Sequence, residues 1–366
     1  MIIYTSLIII NLISILIFKS LEARKGKDFS SYYLLVFFVT TFVISGLRAQ
    51  SVGTDTYNYQ SIFQTIGLMG TEYYDFSKFP GYTLYNLFIY RVNNNPQIIT
   101  IFNSLVISLG MSICFKRLST NPYMSSLLYI TLYHYFVTMN ATRQYISVIF
   151  LFISIYYFIN KKKRFLLYFT LALSFHQVSI IGVLYFILYK IKWNTKRYIW
   201  LGISTILSGV FFSRFTIIFS KIFPDYNMYF NQNSAVNLAS TGNGNKVILS
   251  LFLMIFILMG VYVVKKNVDK NDSYYRFLLA CVLISLILDI MFNKNIMMIR
   301  VVLYFNIMYL FFIPLTISYF SCFIKEKYMF NIITSVGTLL ITLIPFYYQL
   351  SNNMVNVLPY LFFWNF

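Results

Sequence analysis

"SYYLLVFFVTTFVISGL" (31–47) and the residues directly behind it, "RAQSVGTDTYNYQSIF" (48–63), decide how the chain is read. The first stretch is almost wholly apolar and carries no charge. It is about as long as a helix that crosses a bilayer. The second holds an arginine, a glycine, an aspartate and a ladder of hydroxyls. A chain that merely leaves a membrane needs none of these. The junction therefore marks a spanning helix and also something held at its end.

Similar apolar runs recur along all 366 residues, of which 59% are hydrophobic and 11% charged, with a mean hydropathy of +0.69. A soluble domain is about one quarter charged. The fold class that follows is an all-α polytopic membrane protein. Spanning helices are expected at about 2–18, 31–47, 96–115, 121–138, 143–160, 198–219, 247–264, 274–293, 301–320 and 329–350. No stretch is long and polar enough for a separate soluble domain, so residues 1–366 read as one integral membrane domain. Ile2 to Phe18 has no basic residue before it and no small-x-small site after it, so it reads as a retained helix. Cys114, Cys281 and Cys322 all lie in apolar runs and read as buried, inert thiols.

A net charge of +19 suits nucleic acid in a soluble protein. In a membrane protein it is a statement about sidedness. "KSLEARKGK" (19–27), "KR" (116–117), "KKKR" (161–164), "KIKWNTKR" (190–197), "KKNVDK" (265–270) and "KEK" (325–327) fall at one parity of helix ends. They are expected in the cytoplasm, with both termini outside and no nucleic-acid partner. The run 165–189 has basic clusters at both ends. It therefore reads as a helical hairpin turning near "SFHQ" (174–177), giving 10–12 helical elements in total. The outer loops are then about 48–96 and 220–246. Within the first, "KFPGYTLYNLFIYRV" (78–92) is amphipathic, too short to span, and suited to the membrane surface.

Of 29 basic residues, nine fall outside: Arg48, Arg91, Arg143, Arg214, Arg300, Lys78, Lys221, Lys246 and Lys294. Arginine is the majority there and the minority inside. Topology explains the cytoplasmic lysines but not the outer arginines. A guanidinium offers a planar fork that suits phosphate. Arg48, Arg143 and Arg300 stand at three outer helix ends, and together they would bind a diphosphate. The ordinary alternatives are a snorkelling side chain for Arg143 and a surface ion pair for Arg48 with Asp55. Thr54 or Asp55 suits the N-cap of a short helix, itself a place for an anion. His176 in the hairpin is either a satisfied core residue or a general base. His134 reads as an interfacial residue, and Asp289 as a structural partner for an arginine. There is no phosphate-binding glycine loop and no metal-ligand spacing, so no cofactor and no metal are expected.

These residues resemble the EpsG-like branch of the Wzy polymerases. The first motif reads "R-x-x-x-V-G-T-D-T-x-x-Y" from Arg48 to Tyr59. An R-Q helix, basic turn and "A-x-x-F-H" hairpin follow over 143–181. Then come "R-x-x-x-Y-F" at 300–305, with Pro314 beyond, and "VLPYLFF" at 357–363. The chain departs from the family's Tyr/Phe-Arg-Gly lead-in, reading "LRAQ", which bears on the turn. The resemblance implies a GT-C-like, metal-independent glycosyltransferase in the bacterial plasma membrane. It would polymerise repeat units of O antigen, capsule or exopolysaccharide carried on undecaprenyl diphosphate, at the outer face. Arg48, Arg143 and Arg300 would stabilise the leaving diphosphate, and Asp55 or His176 would be the base. Thr54, Thr56, Tyr59, Gln144 and Arg214 would bind sugar or phosphate. A flippase, a chain-length regulator and membrane lipids would be its partners. The competing readings are a transporter of the same lipid-linked sugars, which would put charges at mid-membrane, and a glycan ligase, which differs only in its acceptor.

Overall fold

The computed structural model describes residues 1–70, 72, 76, 78–222, 244–292 and 296–365; of these, the side chains at 212–222, 244–248, 296–297 and 365 are not described. Most of this backbone, 79%, is helical. Among the described residues there is no strand, and one isolated β-bridge joins Arg48 to Phe362. Six helical stretches are long and apolar enough to cross a membrane: Ile2–Lys25, Gln97–Leu118, Thr142–Ile159, Ser273–Met291, Met298–Phe323 and Lys327–Ser351. Shorter apolar helices are Ser30–Gly46, Phe165–Phe175, Gln177–Lys190 and Leu249–Lys265. The all-α polytopic class read from composition is the class observed.

The chain forms two compact units, one of residues 1–180 with 338–366 and one of residues 181–337. The first contains α1 (Ile2–Lys25), α2 (Ser30–Gly46), α3 (Thr56–Met69), α4 (Pro80–Val92), α5 (Gln97–Leu118), α6 (Pro122–Thr131), α7 (His134–Val137), α8 (Thr142–Ile159) and α9 (Phe165–Phe175). α5 packs on α2 and α8, and α8 packs on α9. Lipid tails are as apolar as leucine, so packing and hydroxyl hydrogen bonds hold such helices together. Ser147 Oγ donates to the Ala172 carbonyl at 2.9 Å and Ser154 Oγ to that of Phe165 at 2.7 Å, joining α8 to α9. The Tyr33 and Ser126 hydroxyls pair at 2.6 Å between α2 and α6.

α3 and α4 fill most of the segment 48–96 and pack on α5. Phe63, Ile89 and Ile99 form their shared core. Gln60 Nε2 donates to Thr100 Oγ1 at 3.0 Å, and Gln97 Nε2 to the carbonyls of Gly46 at 2.9 Å and Arg48 at 3.1 Å. α4 buries Tyr82, Thr83, Asn86 and Ile89 and leaves Leu84, Phe88 and Val92 exposed. That stripe has helical spacing, as expected of a segment at a membrane boundary.

Two expected spans are broken. The stretch 121–138 is α6 and α7, interrupted at Tyr133, whose φ of 71° ends the hydrogen-bond ladder. The Tyr133 ring stacks on Phe136 at 4.7 Å and is 2% exposed. The irregular backbone is thus enclosed by protein, as a bilayer requires. The stretch 301–320 is likewise two helices, Ile296–Asn306 and Tyr309–Phe320. The run 165–189 breaks at His176, where the turn was expected, with α9 before it and α10 (Gly182–Lys190) after a 3-10 turn.

The second unit is organised around α13 (Ser273–Met291). α10, α11 (Thr195–Ile222), α12 (Gly244–Lys265), α14 (Ile296–Asn306) and α15 (Tyr309–Phe320) pack on it. The last long helix, α16 (Lys327–Ser351), runs from this unit into the first. Arg276 makes a forked pair with Asp269, Nε to Oδ2 at 2.5 Å and Nη2 to Oδ1 at 3.0 Å, and donates to the Trp193 carbonyl at 2.8 Å. It ties together the two basic loops at 190–197 and 265–270. Cys114 and Cys281 are buried, but Cys322 is exposed, in the 3-10 turn that follows α15. The expected burial of all three thiols is corrected there. The stretch 220–246, expected as an outer loop, lies outside the described residues apart from the helix ends bordering it.

Candidate functional site at one end of the first unit

The two ends of the first unit differ in chemistry. At one end, Lys116 Nζ meets Asp28 Oδ2 at 2.6 Å, Tyr123 OH donates to Glu22 Oε1 at 2.6 Å, and Arg117 donates to Tyr156 OH at 3.0 Å. These are residues of the expected cytoplasmic clusters and their neighbours. The opposite ends of the same helices carry Arg48, Thr54, Asp55, Arg143 and His176.

The turn 47–55 is strapped by the segment after α16. Ala49 N donates to Leu361 O at 2.9 Å, Phe363 N to Leu47 O at 3.0 Å, and Gly53 N to Asn356 O at 2.7 Å. The family's glycine position, here Ala49, does not have a positive φ, so alanine fits without strain. Gly53 has a φ of +93°, and a Cβ there would stand 2.8 Å from Thr56 Oγ1. Only glycine accommodates both constraints. Asp55 is the N-cap residue of α3, as expected, but its carboxylate makes no cap hydrogen bond. It accepts instead from Asn58 Nδ2 at 3.4 Å.

Arg48 is 4% exposed and serves the turn. Its Nε donates to Val52 O and Thr56 Oγ1, both at 3.2 Å. Its Nη1 donates to Ser45 O and, at 3.3 Å, to Ser104 Oγ. A cavity of about 10 Å³ beside it is lined by Ser45, Asn103, Ser104, Thr138 and Thr142. That is room for about one water molecule and not for a phosphate. Among the described residues no carboxylate pairs with Arg48. Burial pulls its pKa down, and Tyr135, Tyr4, Tyr360 and Tyr59 push it back up.

Arg143, at the start of α8, is half-buried and caged by rings. Its guanidinium carbon lies 4.5 Å from the Phe79 centroid, 5.4 Å from Tyr82 and 5.9 Å from Tyr59. One such contact contributes about 0.5–1 kcal/mol. Three together offset the roughly 2 kcal/mol of rotamer entropy lost when an arginine is fixed. The cage therefore holds the guanidinium at little net cost. Tyr59 OH donates to the Asn140 carbonyl at 3.1 Å. Burial holds the Tyr59 phenol above its usual value; Arg143 opposes the rise and Asp55 adds to it. Tyr59 is thus a neighbour of Asp55, Arg143 and Arg48.

His176 joins the same group through Phe79, whose ring centroid lies 6.5 Å away. It is the residue at which α9 ends, and its carbonyl accepts from Ser179 Oγ at 2.6 Å. α4 approaches α9 closely here. A Cβ on Gly81 would stand 2.2 Å from Ser174 Oγ and 2.8 Å from Ser174 Cβ.

Of the residues singled out from sequence, Thr54, Asp55, Tyr59, Arg143 and His176 gather around Phe79 and Asn140. Arg48, Thr56 and Gln144 belong to the packed interior beneath; Thr56 and Gln144 are 1% and 2% exposed. Arg300 is exposed on α14 of the second unit, and the side chain of Arg214 lies outside the described residues. Asp289 accepts from Asn306 Nδ2 at 2.9 Å. Phe79, Tyr82 and Asn140 were not legible as site residues. The amphipathic pattern of 78–92 was visible, but not what its buried face would enclose.

A bundle of apolar helices long enough to cross a bilayer, with a guanidinium and an imidazole brought to one phenylalanine, defines a multi-pass membrane protein with a candidate polar site. The chain belongs to the EpsG family, whose sequence profile matches residues 31–362. It is therefore a membrane protein of the polysaccharide-polymerase type. No curated protein and no solved structure matches it.

Proposed function

We propose that the protein polymerises lipid-linked repeat units at the outer face of a bacterial plasma membrane. The donor is a growing glycan on undecaprenyl diphosphate, and the acceptor is the non-reducing hydroxyl of a new lipid-linked unit. The acceptor oxygen bonds to the anomeric carbon of the donor. The bond from that carbon to the diphosphate oxygen breaks, and lipid diphosphate leaves with the electron pair. The hydroxyl proton passes to Asp55 or His176. Sidedness rests on the basic clusters at the opposite helix ends.

The observation that carries this reading is the Arg143 guanidinium caged by Phe79, Tyr82 and Tyr59, with the His176 ring next to Phe79. A fixed donor of this kind stabilises charge on a leaving phosphate without reorganising, an effect of about 3 kcal/mol per donor in a site that excludes water. In this reading Arg143 is the arginine that touches the leaving phosphate. Arg48 supports it from below. Thr54 and Tyr59 are placed for sugar or phosphate hydroxyls. The aromatic rings supply faces for sugars.

The test is glycan laddering in a host that makes the matching repeat unit and lacks its polymerase. The gene should convert single lipid-linked units into a ladder, and Arg143→Ala should not at equal membrane levels. If single units fail to reach the outer face without the gene, transport replaces polymerisation as the reading.

A further inference from the structure

Two helix starts meet at one side chain. The Thr54 N–H donates to Asn140 Oδ1 at 2.9 Å, and Asn140 Nδ2 donates back to Thr54 Oγ1 at 3.1 Å. The Asn140 carbonyl accepts the Tyr59 hydroxyl at 3.1 Å. Thr54 stands directly before Asp55, and Asn140 three residues before Arg143. Three hydrogen bonds from one residue thus tie the turn carrying the carboxylate to the helix start carrying the guanidinium. The fit is close. A Cβ on Gly53 would come within 3.3 Å of Asn140 Oδ1, so the contact depends on the glycine beside it.

These bonds lie at a wet boundary, with Thr54 exposed and Asn140 half-buried. Hydrogen bonds that water can replace add little net stability. Their geometry is more specific than stability requires. A primary amide presents a donor and an acceptor on two adjacent atoms, matching the N–H and hydroxyl of Thr54.

We propose that Asn140 is a positioning residue, which sets the distance between Asp55 and Arg143 across the substrate. The proposal rests on the polymerase reading above. Asp55 makes no ion pair among the described residues, so charge does not hold α3 to the start of α8. Asn140 does so instead. Asp at this position keeps the clasp, since the Thr54 hydroxyl then turns to donate. Leu fills the same volume and offers neither bond.

The test uses the full-length protein in proteoliposomes, with lipid-diphosphate-linked repeat units extracted from a polymerase-deleted host. Asn140→Leu should lower kcat on the order of tenfold or more, with KM changed by less than about twofold, because misplacement of catalytic groups costs turnover rather than binding. Asn140→Asp should recover most of that loss. Thermal stability should be close to wild type in both. Wild-type turnover by Asn140→Leu would overturn the proposal. So would a loss that follows thermal stability and is not recovered by Asp. Arg143→Ala is measured alongside. Wild-type turnover by Arg143→Ala would sink the reading of the site itself, and the positioning role with it. Loss by Arg143→Ala with none by Asn140→Leu would sink the positioning role alone.

Discussion

The Arg143 guanidinium stands 4.5 Å from the centroid of Phe79, and the ring of His176 lies 6.5 Å from that same centroid. One phenylalanine thus relates the guanidinium and the imidazole that the proposed transfer uses. Phe79 comes from the residue before α4, Arg143 from the start of α8 and His176 from the end of α9. Removing the ring while keeping its volume should free the guanidinium. Phe79→Leu is expected to reduce turnover about two- to fivefold, since a cation–π contact of this kind is worth about 0.5–1 kcal/mol. Arg143→Lys should lose far more, because an ammonium lacks the planar fork. Steady-state release of lipid diphosphate measures both.

Arg48 answers to a different test. Its donors are used by Val52, Ser45, Thr56 and Ser104. Arg48→Ala removes the guanidinium from the buried Ser45 carbonyl, a cost of about 1–3 kcal/mol, while Val52 O keeps the Thr56 hydroxyl at 2.7 Å. The expected result is a lower melting temperature and less protein in the membrane. Specific activity per folded molecule should fall less than in Arg143→Ala. A fully stable, fully inactive Arg48→Ala would place this arginine on the substrate instead.

Gly81 and Ser174 form a second pair with a defined outcome. A methyl at Gly81 collides with Ser174 Oγ and Cβ. Overpacking of this sort costs about 1–3 kcal/mol. Gly81→Ala should destabilise the protein and disturb the Phe79 cage. Gly81→Ala combined with Ser174→Gly should recover much of both. Thermal unfolding of the four-member cycle measures the coupling.

At the opposite end, Asp28 sets a pH dependence. The Lys116 ammonium, followed by the Ser30 hydroxyl and N–H, holds the Asp28 carboxylate well below the usual range. A depressed folded pKa gives stability that is present above the unfolded value, near 3.9, and lost as pH falls through the folded value. Asp28 is 62% exposed, so the pair is worth less than about 1 kcal/mol. The melting-temperature gap between wild type and Asp28→Asn should be constant above about pH 5 and shrink below about pH 4. A gap unchanged at low pH would contradict the pairing.

What the sequence disclosed follows from what local pattern can carry. Long apolar runs give spanning helices because a bilayer leaves few other solutions. The N-cap position of Asp55 and the break at His176 follow from local backbone chemistry. The broken helix at Tyr133 was hidden, because nothing in "LYIT-LYHYFV" marks a left-handed tyrosine. The burial of Arg48 was hidden too. Its partners are mostly backbone carbonyls, which every residue has. The cage around Arg143 joins residues 59, 79 and 82, a contact that neither periodicity nor composition reveals. The pairing of Asp269 with Arg276 lay within a basic cluster that the charge rule had already accounted for. The strap from 353 to 363 was signalled by "VLPYLFF" as a motif, but its role in holding the turn at 47–54 is tertiary.

The central claim is that the Arg143 end of the first unit performs the transfer. Its most direct test is turnover by purified protein in proteoliposomes supplied with lipid-linked repeat units. Wild type, Arg143→Ala and Asp28→Asn are compared at matched folded concentration. Loss of lipid-diphosphate release on the order of a hundredfold in Arg143→Ala, with Asp28→Asn near wild type, is the predicted result. Full turnover by Arg143→Ala would contradict the account.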